Sequence, residues 1–392
     1  MAVDLYTKKY YNNIGLLTAE FNSKLTEKEK NMTSYMDLDK NNVANTTIGE
    51  YEVAWHDVRK SPFSLYGFYN PETEPFFHRL PLDIAAKTSD AVDKLSRESA
   101  GGRVRFSTDS PYIAIRAKYL IAGRDSHLTF ISSAGFDLYI DSEFGGRYVR
   151  EFRMPRNMDK SYEQIIHLDC GKMRSFTINF PVHSVVESLE VGLAPDATLG
   201  EAAPYRDIAP IIVYGSSIVH GSAASRPGLI YPSIISREFN MDVINLGFSG
   251  NAKGEPVLAE YLADLPMSVF ICDYDHNAPN VEHLESTHHR FYEIIREKNP
   301  DLPYIMITRP NYYTALRNSE DVMKRRDTIM RSYLKAREKG DKNVYFIDGT
   351  SFMTAPHQYD TVVDGIHPGD AGFMRMADSI GSVIRHIFEK NM

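Results

Sequence analysis

The sequence predicts an α/β fold. A five-stranded parallel sheet in a three-layer α/β/α domain follows an antiparallel β-sandwich domain. Three observations predict it. After about residue 205, apolar β-branched segments alternate with helix-period segments, which requires right-handed crossovers and helices on both sheet faces. Between about residues 49 and 200 the apolar period is two, with Gly, Pro, Asp and Ser turns between the segments. Short segments rich in Gly, Ser, Asp and His fall where the parallel strands end, the edge on which open α/β sheets hold ligands.

Taken in order, residues 1–48 form a polar, Asn- and Lys-rich arm. Within it Ile14, Leu17, Phe21 and Leu25 have the spacing of one amphipathic helix. Residues 49–202 form the sandwich. Tyr51–Trp55 opens it, and Arg103–Ser107, Tyr112–Arg116, Phe136–Ile140 and Phe176–Phe180 continue it, with a short helix near Ser89–Glu98. Residues 203–392 form the α/β domain. Its strands are Ile211–Tyr214, Val243–Leu246, Val269–Cys272, Tyr304–Thr308 and Val344–Ile347. Its helices are Leu229–Phe239, Glu255–Asp264, Val281–Glu297, Ser319–Lys339 and Asp370–Phe388.

Composition excludes several classes. The 392 residues, 43% hydrophobic and 24% charged, leave length for two cores. A net charge of −8 without a basic stripe argues against a nucleic-acid partner. No apolar run suits a bilayer span, so no membrane partner is expected. The first residues lack an apolar signal core, so the expected location is cytoplasmic, with a removed signal as the open alternative. Asn31 and Asn45 begin glycosylation motifs that matter only on a secretory route. Cys170 and Cys272 fall in different halves, which argues against a disulfide framework.

The chemistry concentrates in four loops. Tyr214-Gly-Ser-Ser-Ile-Val-His-Gly221 follows the first parallel strand and brings a hydroxyl to the sheet edge. A serine on such a turn is a nucleophile when a histidine reaches it, and an ordinary loop otherwise. Val363-Asp-Gly-Ile-His-Pro-Gly369 precedes the last helix. There Asp364 and His367 are spaced so that the carboxylate accepts from one ring nitrogen while the other faces outward. The competing reading is a polar turn capping the helix through Asp370. Asn245-Leu-Gly-Phe-Ser-Gly-Asn251 offers the Gly247 N–H, and Asp273-Tyr-Asp-His-Asn-Ala-Pro279 offers the Asn277 amide. With the Ser217 N–H these make three donors around one tetrahedral oxygen. The bland readings are a glycine-rich turn and turn chemistry before a proline.

These loops resemble the blocks of the SGNH hydrolases, also called GDSL esterases and lipases. Gly215-Ser-Ser-Ile218 resembles the first block, with Ser217 in the nucleophile position. Gly247 and Asn277 resemble the glycine of the second block and the asparagine of the third. Asp364-Gly-Ile-His367 resembles the Asp-x-x-His block. The likeness is to the branch with a Gly-Ser-Ser-Ile variant and an N-terminal sandwich bearing Gly-x-Asp-Leu-Tyr, here Gly135–Tyr139. Arg79-Leu-Pro81 and Ala100–Phe106 also resemble that branch, and the likeness covers roughly residues 50–390. There are two departures: Ser216 replaces the aspartate usual before the nucleophile, and Asp275-His-Asn277 replaces the usual Gly-x-Asn-Asp.

The resemblance implies an SGNH-type esterase with Ser217, His367 and Asp364 as triad and Ser217, Gly247 and Asn277 as oxyanion hole. It implies no cofactor and no metal. His276, His283, His288 and His289 are close in sequence, but 288 and 289 face different sides of a helix, so a solvated face is the better reading. His220 either lines the pocket as a substrate-binding residue or packs at the helix start. Arg226 either binds an anionic substrate group or makes a salt bridge within its loop. The aromatic stretch Tyr66–Tyr69 with Phe76 and Phe77, and Trp55, either stacks a sugar or packs, with packing favoured. Relatives with a sandwich in front remove acetyl groups from carbohydrates. The expected partner is therefore a small-molecule or oligosaccharide ester, and the expected reaction short-chain O-acyl hydrolysis. The alternatives are a thioesterase, a phospholipid acylhydrolase, or an inactive glycan-binding protein. An oligomer is possible through exchange of the N-terminal arm.

Overall fold

The computed structural model describes residues 48–49, 51–142, 145–168, 171–310, 319–353 and 357–390. The helix expected over Ile14 to Leu25, the Asn31 and Asn45 motifs, and Cys170 lie outside these residues.

Among the described residues, the first region holds strands β1 (Ala54–Asp57), β2 (Ser64–Tyr66), β3 (Arg103–Thr108), β4 (Tyr112–Ile121) and β5 (Phe136–Ile140). It continues with β6 (Arg147–Phe152), β7 (Ser161–His167), β8 (Arg174–Asn179), β9 (Val185–Leu193) and β10 (Leu199–Gly200). They form two antiparallel sheets, one ordered β1-β9-β4-β7 and one β10-β3-β8-β5-β6 with β2 paired to β3. The core between them is built from Val104, Phe106, Ile113, Ile115, Leu138, Ile178 and Val191. The expected opening strand begins later, at Ala54, after a turn in which Tyr51 N–H donates to the Ile48 carbonyl. The single helix expected near Ser89–Glu98 is a pair, Leu82–Thr88 and Asp90–Ser96. Ser89 is extended between them, and its hydroxyl caps the second by accepting from Val92 N–H.

The alternating charges of β3 do not face water. Arg103 and Arg105 are buried because the outer face of this sheet packs on the second region. Arg103 donates to Asp242 at 2.6 Å and to the Val243 carbonyl at 3.2 Å.

That second region is a parallel sheet of β11 (Ile211–Gly215), β12 (Val243–Gly247), β13 (Val269–Asp273), β14 (Tyr304–Ile307) and β15 (Val344–Ile347). The order is β12-β11-β13-β14-β15. Along β11 the period of two splits the core. Ile211 and Val213 pack with the helices Tyr231–Phe239 and Asp370–Lys390, while Ile212 and Tyr214 face Pro256–Ala263 and Val281–Lys298. Strand order reverses at β11, so the crevice beyond its carboxyl end is the switch point where such sheets bind ligands. The helix expected from Leu229 starts at Tyr231. Pro227–Leu229 is a separate 3-10 turn, and Ile230 is the extended N-cap of a helix whose first turn accommodates Pro232. No described helix is long and apolar enough to cross a membrane.

Candidate active site

Ser217 stands where β11 ends. A Cβ on Gly215 would lie 2.2 Å from the Asp273 carbonyl oxygen, so only glycine lets the two strands approach there. Ser216 is extended and its hydroxyl caps the short helix Ser217–His220 by accepting from Ile218 N–H. Ser217 is thus the first residue of a helix, and its own N–H has no acceptor among the described residues.

The loop after β15 brings the other two residues. It is closed by an antiparallel bridge between Val362 and Pro368 and by Val363 N–H donating to the His367 carbonyl. Gly365, with φ of +79°, makes the turn. Asp364 Oδ1 accepts from the N–H groups of Ile366 at 3.0 Å and His367 at 2.8 Å. Its Oδ2 lies 2.7 Å from His367 Nδ1, and His367 Nε2 lies 2.8 Å from Ser217 Oγ. Burial would raise the Asp364 carboxyl, but these donors outweigh it and hold the group at about 2. The carboxylate is an acceptor only, so Nδ1 carries the proton and Nε2 offers its lone pair to the serine.

The serine opens into a cavity of about 360 Å³ lined by His127, Ser217, Ser222, Ser249, Gly250, His276, Asn277, Arg309, Ile366 and His367. His127 comes from the sandwich region, and its ring lies 6.3 Å from that of His367. A larger hollow of about 770 Å³, lined by residues such as Arg290, Glu293 and Lys339, has no serine, cysteine or histidine in its wall. It therefore offers no serine–histidine or cysteine–histidine pair.

Gly247 requires a correction. Its N–H donates to Asn245 Oδ1 at 2.9 Å, so it is not available to an oxyanion. A Cβ there would lie 2.1 Å from the His220 backbone nitrogen, so Gly247 serves close packing of β12 on the Ser217 helix. The glycine in the cavity wall is Gly250, three residues on, with φ of +72°. Its N–H has no acceptor among the described residues. The loop Asn245–Asn251 contains two glycines, and the sequence signal that separates them is distance from the strand: Gly247 still pairs with Gly215 in the sheet. Asn277 does reach the cavity, where one amide proton is donated to the Phe248 carbonyl at 3.0 Å and the other is left for a ligand.

Neither Arg226 nor His220 is placed to bind substrate, and of the two readings of His220 packing is the one that holds. Arg226 does not line the cavity. Its guanidinium donates to Asp137 at 3.0 Å and to the Tyr139 hydroxyl, and lies 3.8 Å from the Tyr148 ring centroid. Asp137 is fully buried and also accepts from Gly228 N–H at 2.8 Å and Asn179 at 2.8 Å. The Gly-x-Asp-Leu-Tyr segment is thus the clamp between sandwich and parallel sheet. His220 is fully buried behind the wall, bonded to Ser249, Glu98 and the Val182 carbonyl.

Other histidines differ from the solvated face expected for them. His288 is buried and stacked on Tyr274, and burial pushes it down to about 3. His289 stacks on Tyr292, and His283 bonds the Lys253 carbonyl at 2.8 Å. The aromatics pack as favoured: Phe68 lies against Phe77 and Phe180, and Trp55 lies under Arg116. Among the described residues, one trio has the spacing of metal ligands, Glu98, His183 and His220.

Comparison with known proteins fits this geometry. A family model described as GDSL-like lipase/acylhydrolase matches residues 209–385. One described as the N-terminus of SGNH-hydrolase-type esterases, bearing the Gly-x-Asp-Leu-Tyr signature, matches residues 53–199. The chain is similar to a crystal structure described as a GDSL-like lipase from Bacteroides ovatus, at 30% identity and a TM-score of 0.78, covering 86% of this chain and 98% of that one. It is similar in fold to a salicylyl-acyltransferase from a tetracycline biosynthetic pathway, at 19% identity, TM-score 0.64 and coverage of 83% and 95%. It is also similar in fold to an acetyl xylan esterase from the rumen bacterium Butyrivibrio proteoclasticus, at 12% identity, TM-score 0.54 and coverage of 86% and 99%. No curated protein matches the sequence significantly.

Proposed function

Since the chain belongs to the GDSL-like lipase/acylhydrolase family, we propose that it is a serine esterase acting on short O-acyl esters, with acetyl esters of carbohydrates as substrates. The observation that carries this reading is the continuous line Ser217–His367–Asp364, with contacts of 2.8 and 2.7 Å, opening into a cavity.

In this mechanism His367 Nε2 takes the Ser217 proton as Oγ attacks the ester carbonyl. The carbonyl oxygen, now an oxyanion, accepts from the N–H groups of Ser217 and Gly250 and from the Asn277 amide. Each such donor is worth roughly 3–4 kcal/mol of barrier. The imidazolium returns its proton to the departing alkoxide, leaving acetyl on Ser217. Water then attacks the acyl-enzyme with His367 as base, and carboxylate leaves as the serine is reprotonated. Asp364 keeps the proton on Nδ1 and stabilises the imidazolium.

Two features support a short acyl group and a polar alcohol. The cavity is small, and its wall is rich in hydroxyl, imidazole and amide groups rather than alkyl side chains. Acetyl xylan is the substrate named for one of the fold neighbours.

The test is hydrolysis of 4-nitrophenyl acetate, 4-nitrophenyl octanoate and an acetylated xylo-oligosaccharide by wild type and Ser217→Ala. The variant should lose at least about 10⁴-fold in kcat, and acetate should exceed octanoate. An active Ser217→Ala protein refutes the nucleophile, and a preference for octanoate refutes the short acyl group.

A further inference from the structure

Behind the cavity wall runs a hydrogen-bonded arc that ester hydrolysis as described does not use. Ser249 Oγ, in the wall, lies 3.1 Å from His220 Nδ1. His220 Nε2 lies 3.0 Å from Glu98 Oε2 and 3.1 Å from the Val182 carbonyl. The same Glu98 oxygen lies 3.1 Å from His183 Nδ1. His183 Nε2 closes the arc, 3.3 Å from Ser222 Oγ, the second wall hydroxyl. Glu98 and His183 come from the sandwich region, while His220 lies on the short helix that begins at Ser217.

The protons in this arc have a direction. His220 Nε2 faces two groups that only accept, so it carries the ring proton. Burial, reinforced by His183 and Arg79, pushes His220 down to about 4, so near neutral pH its ring is uncharged. Nδ1 is then a bare lone pair, and Ser249 donates its only hydroxyl proton to it. His183 repeats the arrangement: Nδ1 faces the carboxylate and carries the ring proton, so Nε2 accepts from Ser222. A hydroxyl has one proton and two lone pairs. With both protons committed inward, the two serines show the cavity oxygen lone pairs.

We infer that Ser249 and Ser222 form a pair of acceptors that binds a hydroxyl on the alcohol half of the ester, so that the enzyme selects acetyl esters of polyols over those of simple alcohols. This rests on the esterase reading. An acetyl group has no donor, so the donor must come from the alcohol. Ser249 and Ser222 touch the substrate, whereas His220, His183 and Glu98 are positioning residues that fix the sense of the hydroxyls. The arrangement favours a donor and gives nothing to a group that only accepts.

The experiment compares kcat/KM for three acetates in wild type, Ser249→Ala and Ser222→Ala. 2-Hydroxyethyl acetate can donate, 2-fluoroethyl acetate can only accept, and propyl acetate does neither. Comparing wild type with variant on each ester cancels the difference in leaving groups. The wild-type-to-variant ratio should be about tenfold larger for 2-hydroxyethyl acetate than for either other ester, the size of one neutral hydrogen bond. Ser249→Thr, which keeps the hydroxyl, should hold the wild-type ratio. Equal ratios on all three esters would overturn the inference, because the hydroxyls would then only shape the wall. A ratio as large for the fluoro as for the hydroxy ester would overturn it too, because the serines would then be donors. One zinc per chain in purified wild type and none in His183→Gln would also overturn it, by making the histidines ligands. Ser217→Ala, assayed alongside, separates the readings. If it is dead and the ratios are equal, only this inference fails. If it is active, the esterase mechanism itself fails.

Discussion

Asp364→Asn removes no atom from the site and should silence it. Asp364 Oδ1 accepts two backbone N–H groups, at 3.0 and 2.8 Å, and Oδ2 accepts one imidazole N–H at 2.7 Å. An asparagine must give its single oxygen to one side. Two fixed backbone donors outweigh one ring nitrogen, which can change tautomer at small cost. The amide oxygen therefore stays with Ile366 and His367, and the amide NH₂ turns to His367 Nδ1. Nδ1 must then accept, and the ring proton moves to Nε2. An imidazole protonated at Nε2 cannot take the Ser217 proton. The loss expected from a tautomer fixed the wrong way is ~10⁴ in kcat, or about 5 kcal/mol of barrier. Stopped-flow or steady-state hydrolysis of 4-nitrophenyl acetate reads it. KM should change by less than about threefold, since the donors and the wall are untouched. A kcat within tenfold of wild type, in a variant with unchanged melting temperature, would refute the assignment of His367 as base.

Two further predictions concern stability. Arg226→Met keeps the alkyl chain on the Tyr148 ring but leaves the buried Asp137 carboxylate without its cation. The urea midpoint should fall by an amount worth about 3 kcal/mol with the slope unchanged, and a loss under about 0.5 kcal/mol would remove the clamp from the account. His220 makes stability fall with acid. The unfolded ring gains its proton below its ordinary 6.5, the folded ring only near 4. Between these values the unfolded chain binds more protons, so the contribution is complete above pH 6.5 and disappears as pH falls toward 4. At pH 5 it should be smaller by about 2 kcal/mol than at pH 7.5. Denaturant titrations of wild type and His220→Gln at the two pH values should differ by that amount, and parallel curves would show that His220 is charged in the fold.

The parallel sheet was legible because its signals are local. Each strand is a short β-branched run, each helix has a 3.6 period, and the chain alternates between them. Ser217, Asp364 and His367 were legible as candidates for the same reason, since Ser217 lies two residues after the Gly215 that ends a strand and Asp364 and His367 directly precede Gly365 and Pro368 in a turn. What was not legible depends on which side of an element is covered. Arg103, Arg105 and Asp137 read as the polar face of a sandwich, yet all three are buried because a second region packs on that face. Arg226 reads either as an anion binder or as half of a salt bridge within its loop, yet its partner lies 89 residues away in sequence. Gly247 and Gly250 are alike in sequence, and only the sheet register separates the one that packs from the one that lines the cavity. Glu98, His183 and His220 carry no mutual spacing at all, so their convergence could be found only from coordinates.

Ser217 and His367, the proposed nucleophile and base, are 150 positions apart, and the cavity wall is drawn from His127 before them and from Ser222, Ser249 and Asn277 between them. This sets an order in time. As the chain leaves the ribosome, His127 of the wall is made first, Ser217 next, then Ser222, Ser249 and Asn277 of the wall, and His367 last. While the 150 residues from Ser217 to His367 are made, the serine is present without that base to ionise it. The nascent chain cannot form an acyl-enzyme with passing esters until the Asp364–His367 turn has emerged and docked, so the final loop acts as the switch that arms the molecule once its walls are in place.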